Sequence, residues 1–308
     1  MVFSSITFLF FFLPLTFLLY FLSPGIRLKN FILLILSWAF YAWGEGELVI
    51  LMMLSSAFNY LIGLWINGSK RSIIPLTVGI VANLLTLIYF KYVGLLVGSI
   101  DGLIGTNWNN GIDIHLPIGI SFFTFQSISY IVDLQRGNVK VQKNPFKLML
   151  YISLFPQLIA GPIVRYTQVE HDLTHRKHSI DAFVEGIKRF CVGLAKKVLI
   201  ANVVGEIADE IFAMPDSEMY FALSWFAIAA YALQIYFDFS GYSDMAIGLG
   251  RMFGFHFPEN FNYPYISTSI KEFWRRWHIT LSTWFRDYLY IPLGGNRKGI
   301  GRVYFNLI

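Results

Sequence analysis

The chain has 308 residues, of which 56% are hydrophobic, 18% aromatic and only 14% charged. Soluble domains are about 45–50% apolar and about 25% charged, so this composition excludes most cytosolic enzymes and disordered chains. The single cysteine, Cys191, excludes internal disulfides and cysteine metal cages, and the net charge of +5 fits cytoplasmic loops near anionic lipid. We therefore expect an all-α polytopic membrane bundle with one domain over residues 1–308.

Apolar segments of the first 132 residues predict most of the membrane crossings. Ile6–Leu22, Leu48–Ile66 and Ile73–Phe90 approach the roughly 20 helical residues that a bilayer core requires. His115–Val132 is predicted to cross as well. Phe31–Trp43 is shorter, and we expect it to be tilted or partly interfacial.

The charges between these segments predict the orientation of the chain. Residues 92–134 carry three acidic residues and no lysine or arginine, whereas residues 135–200 carry eleven basic residues against four acidic ones. Because positively charged loops stay in the cytoplasm, we expect the N-terminus and Tyr92–Ile114 outside and residues 135–200 mainly inside. The basic residues also predict contact with the lipid membrane.

Two segments in the middle of the chain are predicted to be bent or to lie at the membrane surface. Leu148–Val164 is apolar but contains Pro156, Gly161 and Pro162, and basic residues lie on both sides of it. We expect it to be re-entrant, because bent backbone at membrane depth is tolerated only when it is buried in protein or lines a cavity. Glu185–Asn202 is predicted to be an amphipathic helix.

A glycine-rich segment with acidic side chains follows the next predicted span. Tyr220–Phe237 is that span, and Asp238–Phe255 carries Asp238, Tyr242 and Asp244 within apolar sequence. Ionisable groups in such sequence are costly and therefore candidates for function, although the two aspartates could equally cap a broken helix. No strand precedes the glycines, so they favour close helix packing over a dinucleotide site.

The most informative segment is Lys271–Leu289, which we predict to be one amphipathic interfacial helix. Ser269 and Glu272 have the spacing of a capping box at its start, and Pro292 follows its end. At 100° per residue, one arc of the helix is mostly aromatic: Trp274, Trp277, His278, Leu281, Trp284, Phe285 and Tyr288. The rest of the circumference is polar: Arg275, Arg276, Thr283, Arg286 and Asp287.

His278 lies at the edge of the aromatic arc, where it can face the protein interior. Spacing alone leaves two interpretations open: a packed histidine with one hydrogen bond, or a general base or orienting group for a substrate hydroxyl. The three arginines of this helix are equally open to two interpretations. They could anchor lipid headgroups or contact an anionic acyl donor such as coenzyme A or phosphopantetheine.

Three further histidines, His171, His175 and His178, have spacings that could bind zinc on a helix. No metal-binding motif surrounds them, and we predict no metal site. The basic residues are associated with apolar helices, so we expect no nucleic-acid partner.

Four long stretches resemble the membrane-bound O-acyltransferase family. They are PIGISFFTFQSISYIVDLQRG (117–137), LFPQLIAGPIVRY (154–166), YFDFSGYSDMAIGLGRMFGFHFPENFNYPY (236–265) and FWRRWHITLSTWFRDYLYIPLGGNR (273–297). More narrowly, they resemble the bacterial branch whose members act on alginate or on teichoic acids, and IPLGGNR is closer to the alginate members. The resemblance covers almost the whole chain.

This resemblance implies an acyltransferase, most simply one that transfers O-acetyl groups. It implies no tightly bound cofactor, since the acyl donor, acetyl-CoA or an acyl-carrier thioester, is a cytoplasmic substrate. The implied acceptor is a hydroxyl of a cell-surface or exported polysaccharide such as alginate. Implied partners are periplasmic transfer proteins and an acyl carrier protein, and the implied location is the bacterial inner membrane.

His278 matches the first of the family's two characteristic histidines, in the W-R-R-W-H element, and is the expected catalytic residue. The resemblance implies that the second histidine, in a W-H-G element, is the principal catalytic one. It does not occur in these 308 residues, and another apolar run starts within Gly299–Ile308. We therefore expect a truncated form that is inactive by itself. Substrate binding or structural support is expected from nine residues: Asp238, Tyr242, Asp244, Trp274, Arg275, Arg276, Trp277, Arg286 and Asp287.

Other functions remain open at this stage. Transfer of D-alanyl or another acyl group to a cell-wall polymer fits the same branch of the family. A transporter would also have broken helices and intramembrane acids, although the chain shows no inverted repeat. A non-catalytic assembly subunit of a polysaccharide-modifying complex is a further alternative.

Overall fold

The computed structural model describes residues 2–106, 114–297 and 299–307, and every regular element in these ranges is helical. The α-helices in chain order are α1 (Leu13–Leu22), α2 (Gly25–Glu45), α3 (Val49–Gly68), α4 (Ile73–Ile104), α5 (Ile120–Gln135), α6 (Pro145–Ser153), α7 (Phe155–Leu158), α8 (Tyr166–Val169), α9 (Asp172–His175), α10 (Ile180–Ala195), α11 (Asn202–Phe212), α12 (Phe221–Met252), α13 (Ile270–Arg276), α14 (Ile279–Phe285) and α15 (Ile300–Leu307). Short π-helical segments are Phe8–Phe12, Lys196–Ala201 and Arg286–Tyr290, and 3₁₀ turns are Gly46–Leu48, Asp216–Glu218 and Pro264–Ile266. The prediction of an all-α fold is confirmed.

Three helical stretches of the described residues are long and apolar enough to cross a membrane: Gly25–Gly68, Ile73–Ile104 and Phe221–Met252. Phe8–Leu22 is apolar but shorter. These lengths match the roughly 20 residues that span a bilayer core, so the chain is a membrane protein. Its orientation in the membrane stays a prediction.

Two predicted boundaries in the first half are wrong. Phe31–Trp43 is not a short element but part of α2, which has 21 residues and begins at Gly25, directly after the extended backbone of Pro24. The predicted external loop Tyr92–Ile114 is helical as far as Ile104, where Gly105 ends α4 in a left-handed conformation at φ 75°. No proline interrupts residues 92–104, so the helix continues past its most apolar part. Residues 107–113 of this loop lie outside the described residues.

The second half contains one helix where two elements were predicted. Tyr220–Phe237 and Asp238–Phe255 are joined in α12, a continuous helix of 32 residues. Asp238 and Asp244 both lie inside it, so the interpretation that they cap a broken helix is wrong. Glycine weakens a helix but does not break it, and no proline lies within α12.

The backbone is broken near Pro156, as predicted. α6 and α7 are separated at Leu154, whose ψ of 113° is extended. The break frees polar groups that are satisfied inside the protein, since the Phe155 N–H donates to Ser37 Oγ at 3.1 Å and Gln157 Nε2 donates to the Tyr151 carbonyl at 2.5 Å. Bent backbone of this kind is compatible with membrane depth. That the segment is re-entrant stays a prediction.

Residue contacts divide the described chain into two compact units. Unit 2 comprises Ser23–Ile159 and Arg165–Leu173. A buried pair of amides joins α3 to α4 in this unit, because Asn59 and Asn83 donate to each other's side-chain oxygen at 3.1 and 2.8 Å. Reciprocal hydrogen bonds between helices stabilise packing where no water is present.

Unit 1 comprises residues 1–22, 160–164 and 174–308, and its largest helix contact is between α10 and α12. Glycines allow this close approach. A Cβ on Gly193 would lie 2.5 Å from the Gly241 carbonyl oxygen, and one on Gly248 would lie 2.6 Å from the Gly186 carbonyl oxygen. This confirms the prediction that the glycines of residues 238–255 serve close helix packing. The prediction that the chain forms one domain is not tested by this division.

Candidate functional site

His278 lies at a break between two short helices of unit 1, not inside one continuous helix. α13 ends at Arg276, α14 begins at Ile279, and the prediction of a single helix over Lys271–Leu289 is wrong. His278 itself has φ 42° and ψ 56°, a left-handed conformation that costs a residue other than glycine roughly 1–3 kcal/mol. Such strain persists only where the surrounding structure enforces it.

The break is enforced by backbone pairing with an earlier segment. The Ile279 N–H donates to the Asn260 carbonyl at 2.9 Å, and the Asn262 N–H donates to the Arg276 carbonyl at 2.9 Å. These bonds use backbone groups on both sides of His278. The predicted cap at the start of α13 is present, since Ser269 Oγ accepts from the Glu272 N–H at 3.2 Å. In a full capping box the Glu272 carboxylate would accept from the Ser269 N–H. Here it accepts from the N–H and the hydroxyl of Thr268.

A hydrogen-bond chain holds the imidazole of His278. Asn260 Oδ1 lies 2.9 Å from His278 Nδ1 and accepts from the Thr280 hydroxyl at 2.8 Å and the Thr280 N–H at 3.3 Å. Thr280 Oγ1 in turn accepts from the Ile163 N–H at 3.0 Å, and Asn260 Nδ2 donates to Ser243 Oγ on α12 at 3.1 Å.

This chain determines which nitrogen of His278 carries the proton. A backbone N–H can only donate, so the Asn260 atom that faces Thr280 is its oxygen. That oxygen must accept from His278 as well, which places the proton on Nδ1. Nε2 is left with its lone pair and has no hydrogen-bond partner among the described residues.

The imidazole is buried and neutral. Only 7% of His278 is exposed, and the Phe239 ring packs edge-on against the imidazole with the ring centroids 4.8 Å apart. Burial lowers the pKa of His278 from 6.5 to about 4, because the charged imidazolium would lose its water. At neutral pH the side chain is therefore an uncharged group that can accept a hydrogen bond.

The predicted aromatic arc is only partly realised. Trp277 packs in a cluster with Phe261, Tyr265 and Phe273, with ring centroids 5.1 to 6.2 Å away. Trp274, on α13, is instead 52% exposed, and the break at His278 places the rest of the predicted arc on a separate helix, α14.

The predicted arginines of this region do not converge on His278. Arg275 is exposed, Arg276 is paired with Glu272 at 2.9 Å, and Arg286 is paired with Asp287 at 2.7 Å. Arg276 also donates to the Asn262 carbonyl at 3.1 Å, which supports the break described above.

Asp244 lies at the centre of a charged cluster between α10 and α12. It is 6% exposed and accepts from Lys196 at 2.6 Å and Arg189 at 2.7 Å, and Arg189 reaches on to Glu259 at 2.5 Å. Asp238 pairs with Lys197, and its side chain is 49% exposed. Both aspartates therefore bind lysines of the same π-helical turn.

Tyr242, the third predicted residue of this helix, is buried and stacks on Phe3 with ring centroids 4.6 Å apart. The described residues contain no group of histidine, cysteine or carboxylate side chains that could hold a metal. His178 bonds instead to the Tyr20 hydroxyl at 2.7 Å, and that hydroxyl also accepts from Arg176.

Sequence reasoning missed the residues that hold His278. Two of them contact the imidazole directly, namely Asn260 and Phe239. The other two, Thr280 and Ser243, are hydrogen-bonded to Asn260. Thr280 follows His278 by two residues, but Asn260 precedes it by 18, and nothing in the local pattern connects the two. The only available signal was an asparagine inside a stretch that resembles the family.

Comparisons with known proteins show the family to which the chain belongs. The model of MBOAT, the membrane-bound O-acyltransferase family, matches residues 35–308. "Probable alginate O-acetylase AlgI" of Azotobacter vinelandii is 50% identical over 315 residues, which cover 100% of this chain and 62% of that protein. The protein of the same name from Pseudomonas aeruginosa is 48% identical and is covered to 60%. "Peptidoglycan O-acetyltransferase" of Helicobacter pylori is 37% identical over 350 residues, 100% of this chain and 64% of that protein. The chain thus spans about three fifths of the length of these relatives.

Proposed function

Because the chain belongs to the membrane-bound O-acyltransferase family, we propose that it serves O-acetyl transfer from a thioester to hydroxyls of an exported polysaccharide of the alginate type. The names of the relatives that are 48% and 50% identical support alginate as the class of acceptor. The predicted orientation supports a cytoplasmic donor, acetyl-CoA or an acyl-carrier thioester, and periplasmic partner proteins at an inner membrane.

The observation that carries this proposal is the buried, neutral imidazole of His278, whose Nε2 accepts no hydrogen bond from the described residues. The acceptor hydroxyl donates to Nε2, its oxygen attacks the thioester carbonyl, and the hydroxyl proton moves to Nε2. When the C–S bond breaks, the proton passes from the imidazolium to the departing thiolate. A thiol has an ordinary pKa near 8.5, so a histidine with a pKa of about 4 gives up its proton readily.

The first prediction tests this role in the native host. His278→Gln, introduced at the chromosomal locus, should lower the rate of acetyl transfer by about 10²- to 10⁴-fold, since this is the contribution of general acid–base catalysis. The measurement is the O-acetyl content of the exported polysaccharide by proton NMR, together with the amount of the protein in the membrane.

A matched control is His256→Gln, because His256 is an exposed histidine of the same unit outside the His278 network. It should leave the acetyl content unchanged. Normal acetylation in the His278 variant at a normal protein level would contradict the proposal. Loss of D-alanyl esters from the cell wall, with O-acetyl content unchanged, would favour the alternative acyl group.

A further inference from the structure

We propose that Asn260 is a positioning residue that holds His278 in the tautomer with the proton on Nδ1 and directs the lone pair of Nε2 to the substrate hydroxyl. The catalytic consequence of this inference rests on the proposed function. The tautomer itself does not, because it follows from the contacts around Asn260 alone.

The surroundings of Asn260 prevent its side-chain amide from flipping by 180°. It is 1% exposed, and the partners of its amide oxygen include a backbone N–H, which can only donate. The oxygen accepts from the Thr280 N–H, which cannot accept, and the nitrogen donates to Ser243 Oγ. Rotating the amide by 180° would bring two N–H groups together and leave a buried donor unpaired, at a cost of about 1–3 kcal/mol.

The backbone of Asn260 fixes the position of His278 as well as its tautomer. Its carbonyl accepts from the Ile279 N–H, directly after the histidine, and the left-handed conformation of His278 turns the imidazole toward the Asn260 side chain. One residue therefore determines the location of the ring and the nitrogen that is protonated. Catalytic histidines commonly depend on such a partner at Nδ1.

The carboxylates on the packed elements are held in ion pairs, and the partner of the imidazole is a neutral amide. On α12, Asp244 is held by Lys196 and Arg189. Beside Asn260, Glu259 is held by Arg189, and on α13 Arg276 is held by Glu272. On the turn after α14, Asp287 is paired with Arg286. An amide at position 260 stabilises the neutral imidazole, whereas a carboxylate there would stabilise the imidazolium.

The test compares Asn260→Asp, Asn260→Ala and the control Asn262→Ala, all in the full chain with ¹⁵N-labelled histidine in detergent micelles. Asn262 is an exposed asparagine two residues away that uses only its backbone in the same pairing. His278 is identified by the signals that disappear in His278→Gln. The ¹⁵N shifts report which nitrogen is protonated, and their pH titration reports the pKa.

We expect the Nδ1-protonated form in the unchanged protein and in Asn262→Ala, a mixture of both tautomers in Asn260→Ala, and a pKa raised by at least about one unit in Asn260→Asp. Acetyl transfer in Asn260→Ala should fall about 10- to 100-fold, as is typical for loss of a group that orients a reactive one. In Asn260→Asp, transfer should fall on acidification at a higher pH than in the unchanged protein.

An Nε2-protonated His278 in the unchanged protein would overturn the inference, and so would an unaltered tautomer in Asn260→Ala with an unaltered pKa in Asn260→Asp. Should Asn260→Ala fail to fold, Asn260→Asp preserves the size of the side chain and its bond to His278. If the tautomer and pKa change as expected while acetylation is unaffected, the positioning is upheld and the proposed catalytic role of His278 is the part that fails.

Discussion

Two neighbouring residues of α12 belong to two very different polar networks. Ser243 accepts a hydrogen bond from Asn260 in the network of neutral groups that holds His278. Asp244 is instead the centre of a charged cluster with Arg189 and Lys196. The charged cluster joins α10 and its π-helical turn to α12, and the network of neutral groups positions one imidazole. Strong charge pairs therefore join helices here, whereas the candidate site uses neutral partners, so that burial alone lowers the pKa of its histidine.

The largest effect on stability is expected from removing the charge at the centre of the cluster. Asp244→Asn should lower the free energy of unfolding by about 3 kcal/mol, near the lower end for breaking a buried ion pair because both cations keep some water. Thermal or SDS-induced unfolding of the protein in detergent measures it.

Asp238→Asn is the matched control for this substitution. It makes the same chemical change on the same helix, but the side chain of Asp238 is 49% exposed, and exposed pairs contribute about 0–1 kcal/mol. Equal losses in the two variants would show that burial does not distinguish the two aspartates.

A smaller loss is expected where α10 and α12 approach through glycine. Gly248→Ala should cost about 2 kcal/mol, because its Cβ would lie 2.6 Å from the Gly186 carbonyl oxygen and backbone cannot easily yield. Gly94→Ala in α4 meets nothing within 4 Å and should stabilise the protein by about 0.5–1 kcal/mol. The same unfolding measurement distinguishes the expected loss of stability from the expected gain. A stabilising Gly248→Ala would refute the close packing.

A smaller loss of stability is expected from His278 at mildly acidic pH. The pKa of His278 is lowered to about 4 in the folded protein, so the unfolded chain binds a proton first as pH falls below 6.5. Stability from this residue is complete above pH 6.5, declines as pH falls toward 4, and should be about 1 kcal/mol lower at pH 5.5 than at pH 7. Unfolding at both pH values should show this difference in the unchanged protein relative to His278→Gln, and the same pH dependence in both would contradict a buried neutral histidine.

Composition and local pattern determined much of this protein. The apolar runs Leu48–Ile66, Ile73–Phe90 and Tyr220–Phe237 overlap the three helical stretches that can cross a membrane. Ser269 marked the start of α13, and the glycines of residues 238–255 predicted the close packing of α12, because each depends on neighbours in the chain. The resemblance of the W-R-R-W-H element singled out His278. These features depend on residues that are close together in the chain, so the sequence alone indicates them.

The ends of the helices and the contacts between distant groups depend on tertiary interactions. Residues 271–289 keep a helical period throughout, yet the helix breaks at His278 because the backbone of Asn260 and Asn262 bonds to Arg276 and Ile279. Likewise, Asp238 and Asp244 lie on one helix and each binds a lysine, yet the side chain of Asp238 is 49% exposed and that of Asp244 only 8%. Hydrogen bonds and ion pairs between distant segments carry no periodic signal, so the partners of the candidate histidine became known only when the chain was folded.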